Sequence, residues 1–211
     1  MKIKISMLGL SLLLCGGLAF AGDSVSNRKE QTVRLGQKSG THLMYATSTP
    51  FVLEFLGEEW TLGLTIGSGK YNYSYSDYNS SSGAYSTKTQ SINFSTQELT
   101  ARYYIGNSFN IPFGYANYKI SYPDWIYSGV TYDIDYTITQ LNYGIGNEWT
   151  YDWGGYLGVV WYQGGLKLSD DVKVTHKSGT ETSSTLAKAT TTSTDIKAFA
   201  GVFVVTFGFG F

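Results

Sequence analysis

FAGVFVVTFGFGF, residues 199–211, is the stretch whose reading decides the fold. Odd positions carry Phe199, Phe203, Val205, Phe207, Phe209 and Phe211, whereas even positions run through Ala200, Val202, Val204 and Thr206 to Gly208 and Gly210. Side chains alternate between the two faces of a strand, so one face becomes a wall of aromatic rings and the other carries small groups suited to a crowded interior. No charge interrupts the pattern. The stretch predicts a strand whose small side borders a crowded or wet interior and whose large side needs an apolar environment.

Working outward from it, the other end of the sequence reads as a leader. Lys2 and Lys4 precede an apolar run from Met7 to Leu14, and Ala19-Phe20-Ala21 forms a small-x-small site before Gly22. This predicts a secretory signal peptide over 1–21 and one mature domain over 22–211. The apolar run is broken by Gly16-Gly17 and is shorter than the ~20 residues of a helical membrane span. A lipid anchor on Cys15 would require a small residue where Leu14 stands. With the leader removed, 13 basic residues face 16 acidic ones, so the net charge moves from −1 to −3. That balance argues against nucleic-acid binding, which requires a basic face. The single cysteine lies in the leader, and the two histidines, His42 and His176, stand far apart, so neither thiolate chemistry nor a metal site is expected.

Between these ends the chain alternates repeatedly. Strands are expected at 31–36, 43–55, from Trp60 to Tyr75, at 91–105, 109–120, 131–149 and 155–168, and finally at 199–211. Gly22 to Glu30 is expected to be a flexible lead-in and Lys38-Ser39-Gly40 a tight hairpin. Pro50 sits awkwardly inside the second strand, because proline removes a ladder hydrogen bond. In the sixth strand the apolar positions change parity, from Tyr132, Ile134, Tyr136 and Ile138 to Leu141, Tyr143 and Ile145. Either a bulge near Thr139-Gln140 or a change of environment along the strand would produce that slip. Connections after the even strands are short, and those over 77–87, 121–130 and 169–195 are long and polar.

The aromatic residues fall into two groups in this layout, Phe55, Trp60, Phe109, Trp149, Trp153 and Phe211 near one end and Tyr71, Tyr115, Tyr136, Trp161 and Phe199 toward the other. Aromatic girdles at two levels, short turns at one end and long loops at the other are what a membrane-spanning barrel requires. A soluble sandwich or lipocalin-like barrel would alternate equally well but would turn its rings inward. The reading is therefore all-β: a closed, antiparallel, eight-stranded, transmembrane up-and-down β-barrel. The final strand resembles the C-terminal targeting strand of bacterial outer-membrane β-barrels, and the chain as a whole resembles the small eight-stranded barrels of the OmpA-barrel and OmpX-like group. The resemblance implies a place in the outer membrane of a Gram-negative cell envelope and contact with its lipids and lipopolysaccharide. It also implies recognition of Phe203, Val205, Phe207, Phe209 and Phe211 by the barrel assembly machinery.

Candidate functional residues are few. Arg34, Glu54, Glu98, Arg102 and Glu148 fall on interior-facing positions, where charges must find partners on neighbouring strands. They are expected to form a structural network plugging an interior too narrow for an open pore. His42, with Ser39 and Thr41 nearby, is the only start for a lipid A-modifying site, and no nucleophile, base and carboxylate can be assembled around it. No catalytic residue and no cofactor are expected. The expected role is envelope-structural or surface-interacting, through loops that offer a contact surface for a ligand or host partner. A porin-like narrow channel for small or hydrophobic solutes is the alternative, and a lipid A-modifying enzyme the third reading.

Overall fold

A computed structural model describes residues 24–79, 84–194 and 198–211. The expected leader over 1–21 lies outside the described residues, as do parts of the connections expected over 77–87 and 169–195. Eight antiparallel strands follow one another up and down: β1 (Val33–Ser39), β2 (Phe51–Leu56), β3 (Trp60–Asn79), β4 (Ala84–Ile105), β5 (Phe109–Tyr127), β6 (Val130–Thr150), β7 (Gly155–Ser178) and β8 (Gly201–Gly210). Each pairs with the next, and β8 pairs back on β1, from Arg34↔Gly210 to Ser39↔Val205, so the sheet is bonded into a ring. Among the described residues three short helices are added: α1 (Ser24–Lys29), α2 (Leu43–Ser48) and α3 (Ser183–Thr194).

The ring has one low wall and one tall wall. β2 pairs with β3 only as far as Phe51↔Ile66, and β8 with β7 only as far as Gln163↔Gly201. The β3–β4 ladder, by contrast, continues from Trp60↔Tyr103 to Asn79↔Ala84. The connections expected as loops over 77–87 and 121–130 are therefore largely strand, because paired Ser, Thr and Tyr side chains extend the ladders well beyond the apolar segment. The segment expected as a loop over 169–195 is β7 up to Ser178, followed by α3, whose Ala189 packs on Val130, Tyr132 and Ile134.

In the lower part of the ring, bulk points outward. On β3, Leu62 and Ile66 are exposed while Thr61 and Thr65 are buried; on β8, Phe207, Phe209 and Phe211 are exposed while Val204 and Thr206 are buried. Periodicity leaves the two faces unlabelled, and here the apolar face is the outer one. Phe51 at 68% and Leu62 at 60% exposure decide it.

The parity slip in β6 has its cause here. Even positions face inward along the whole strand from Val130 to Glu148, and what changes is their chemistry: Tyr132, Ile134, Tyr136 and Ile138 above, Gln140, Asn142 and Glu148 below. The outer face changes in the opposite sense, from Asp133 and Asp135 above to Leu141, Tyr143 and Ile145 below. The bulged residue lies in β7 instead, where Ser169 pairs with Thr139 and Lys167 with Gln140, leaving Leu168 without an opposite number. Lower strands are thus apolar outside and polar inside, while the tall wall above has a polar exterior and an apolar concave face.

Three expectations about the first part of the chain are corrected. Residues from Ser24 to Lys29 form α1, tied under the ring by Asn27 Nδ2 to Thr150 O (2.9 Å) and Val25 N to Asn107 Oδ1 (3.1 Å), rather than a flexible lead-in. The expected second strand over 43–55 begins only at Phe51, because Leu43–Ser48 is helical and lies inside the ring. Met44, Tyr45 and Ser48, spaced by one and four, form its buried stripe, and Thr49 with φ 39° ends it in the left-handed region. Lys38, Ser39 and Gly40 therefore make no tight hairpin, and Pro50 falls just before β2, where its carbonyl still accepts from Lys38 N (2.9 Å). Two ring residues expected near the outer ends of the strands, Tyr136 and Phe199, are buried inside; β8 starts at Gly201, so Phe199 lies outside the alternation it appeared to head.

Candidate functional site

The interior is built from side chains that a lower strand must turn inward once its bulky neighbours turn outward. They form two layers. The lower layer centres on Glu148 of β6, which is 1% exposed. Arg34 Nη1 and Arg102 Nη1 both donate to its carboxylate, and Tyr104 OH donates to Oε1 at 2.6 Å. Arg34 further donates to Thr150 Oγ1 and, through Nε, to Gln31 Oε1 at 2.9 Å. Glu54 reaches Arg102 at 3.4 Å. Arg28 of α1 closes this layer from below, its guanidinium carbon 3.7 Å from the centre of the Tyr104 ring.

The upper layer centres on Glu98 of β4. Lys38 Nζ donates to Oε2 at 3.0 Å, Tyr45 OH to the same oxygen at 2.7 Å and Asn142 Nδ2 to Oε1 at 2.6 Å. Asn142 also donates to Tyr118 OH at 2.7 Å, and Gln163 Nε2 to Tyr45 OH at 2.9 Å. The Glu98 carboxyl fits because Gly114 lies beside it: a Cβ there would stand 2.3 Å from Oε1. His42 caps the layer, stacked on Tyr45 with ring centres 4.1 Å apart and flanked by Tyr118 and Phe199.

All five charged residues picked from the sequence thus face the interior and divide between the layers: Arg34, Glu54, Arg102 and Glu148 below, Glu98 above. Glu98 and Arg102, four apart on one strand, take different partners. Sequence reasoning missed Lys38, assigned to a turn, Tyr45, assigned to the second strand, and Arg28, assigned to a lead-in. Pro50 was the one signal that the second strand starts late. The aromatic residues of the last strand, Phe203, Phe207, Phe209 and Phe211, are exposed on the outer surface, with Val205 half-buried beside them.

Between the layers lies a cavity of about 20 Å³ lined by Lys38, Glu54, Glu98, Arg102, Asn142 and Gln163. A space of that size holds about one water molecule. Around His42 no hydrolytic constellation forms. Thr41 commits its hydroxyl to Val202, donating to the carbonyl and accepting from the amide at 2.8 Å, and the nearest carboxylate, Glu98, is held by Lys38, Tyr45 and Asn142. His176 lies exposed near the top of β7, its Nε2 3.0 Å from Gly179 O. Among the described residues no group of three or more His, Cys, Asp or Glu is placed to hold a metal ion.

Burial lowers the pKa of Arg28 from the ordinary guanidinium value, with Tyr104 and Glu148 opposing the shift. At the lower rim, Lys29 sits 2.6 Å from Glu58 and lowers the pKa of that carboxyl. No protein-family model matches the chain, and no curated protein or solved structure matches it either.

Proposed function

We propose that this chain is an integral outer-membrane protein whose ring is a sealed transmembrane β-barrel, with the tall wall of β3–β7 held outside the cell. Its role is envelope-structural or surface-interacting: it anchors a rigid polar sheet and the connections above it. The observation that carries this reading is the inverted chemistry of the lower ring, where Phe51, Leu62 and Phe209 face outward while Arg34, Glu54, Glu98, Arg102 and Glu148 are buried. Water outside does not favour that arrangement, whereas hydrocarbon outside and a polar interior paired largely within the ring do. The switch to Asp133, Asp135 and Lys119 on the outer surface fits strands that emerge into water.

The channel reading is disfavoured by the two filled layers, which leave space for about one water. The enzyme reading lacks a convergent nucleophile, base and carboxylate. The test combines cell fractionation with tryptophan quenching by brominated lipids. The protein should fractionate with the outer membrane and migrate differently on gels before and after boiling. Trp60 and Trp153, exposed at the lower rim, should be quenched according to the depth of the bromine label. A protein soluble in the periplasm, with fluorescence indifferent to lipid, refutes the proposal.

A further inference from the structure

Among the described residues, the interior carries one more positive charge than it can neutralise. Among the described residues, the buried charged side chains are Arg28, Arg34, Lys38 and Arg102 against Glu54, Glu98 and Glu148. Lys38 and Glu98 balance each other in the upper layer. The excess therefore belongs to the lower layer, where three guanidiniums share two carboxylates, and Arg28 is the one left over. Arg34 and Arg102 hold Glu148, and Arg102 also reaches Glu54. Among the described residues Arg28 meets only the face of Tyr104, and its Nε and Nη1 find no hydrogen-bond acceptor although the residue is 2% exposed.

An arginine cannot relieve this by losing its proton. A water molecule would satisfy the N–H groups and leave the charge, which is costly to bury without a counter-charge. The Tyr104 ring face offsets only part of that cost. Nor can Glu148 turn toward Arg28, since both of its oxygens already accept from Arg34, Arg102 and Tyr104.

We propose that the lower end of the ring is an anion site: Arg28, carried by α1 and backed by Arg34 and Arg102, binds a small monovalent anion of the halide class. The anion completes the charge balance of the lower layer and pins α1 under the ring. The site depends on buried charge and geometry and not on the membrane reading, and it is tested on the purified protein in detergent.

Equilibrium urea unfolding at constant ionic strength, with gluconate exchanged for chloride, should show a midpoint that rises with chloride and saturates, as binding to the folded state alone requires. Arg28→Gln should lose that dependence. Crystals soaked in bromide should show an anomalous peak beside the Arg28 guanidinium. An Asp23→Asn variant separates a dissolved anion from a carboxylate supplied by the chain itself, and its chloride dependence should match the parent's. A parent midpoint indifferent to chloride, an equal response in parent and Arg28→Gln, or a response appearing only in Asp23→Asn overturns the proposal. Should Arg28→Gln fail to fold, a bromide-soaked parent crystal with no peak at Arg28 overturns it equally.

Discussion

Glu148→Gln is the most informative single change in this molecule, because it removes one charge and almost no volume from the point where three donors converge. In the parent, Arg34, Arg102 and Tyr104 all donate to that carboxylate at a residue 1% exposed. The amide keeps one acceptor oxygen but turns a donor toward the guanidiniums, and the lower layer is left with three cations against Glu54 alone. Removing one partner from a buried ion pair costs about 3–5 kcal/mol, and hydrogen bonds to charged groups are worth about 1.5–3 kcal/mol each, so the loss should fall in the upper part of the first range. That lowers the folded-to-unfolded ratio by about three to four powers of ten. Equilibrium urea unfolding in detergent, followed by tryptophan fluorescence, reads it directly. Adding Arg102→Met should recover part of the loss, because the double variant returns the layer to the parent's excess of a single positive charge. If Glu148→Gln loses less than about 1 kcal/mol, or the double variant is less stable than Glu148→Gln, charge pairing does not hold this layer together.

Two further outcomes follow from the helices at either end of the interior. Gly69→Val places bulk where a Cβ would already stand 1.8 Å from Thr47 O, so α2 should be displaced at a cost of about 1–3 kcal/mol; with the single native cysteine, Cys15, replaced by Ser, a reporter at Met44→Cys should go from unreactive to maleimide-labelled, and equal protection with and without Gly69→Val would refute the docking. Glu58, whose pKa Lys29 lowers, supports α1 above the pKa of a free glutamate and loses that contribution as pH falls through the lowered value. Protection of the α1 amides, corrected for intrinsic exchange, should therefore fall in the parent as the pH drops through the lowered carboxyl value, and Glu58→Gln should show the reduced protection at all pH values; a parent protection profile flat down to acid pH would refute the link.

How much of this was legible in the sequence depends on what each residue packs against. In β3, β4 and the lower part of β6, alternation gave the strands and the inward position of Glu98, Arg102 and Glu148, because a two-residue period sorts faces whatever surrounds them. What lies outside each face was not encoded in the period: β6 reads as a parity slip because its surroundings change near Gln140 while its backbone does not. The β1–β2 connection was misread for a different reason. Leu43, Tyr45 and Thr47 alternate like a strand, yet they lie on a helix of only six residues, too short for a helical period to stand out. Arg28 and Lys38 were hidden because their partners, Tyr104 and Glu98, are more than 50 residues away, and only the closed ring brings them together.

The uneven height of the ring also orders the events by which it forms. The ladder that closes it, from Arg34↔Gly210 to Ser39↔Val205, is among the shortest and joins the two ends of the chain, whereas the long β3–β4 ladder joins neighbours across one connection. Local pairing carries little loop-closure entropy and distant pairing much more, so the hairpins of the tall wall should form early and the β1–β8 seam last. His42 meets Phe199 and Thr41 meets Val202 only across that seam. Insertion of α2 and zipping of the ring are then a single late step, and a chain halted before it would carry a finished tall sheet on an open, unsealed base.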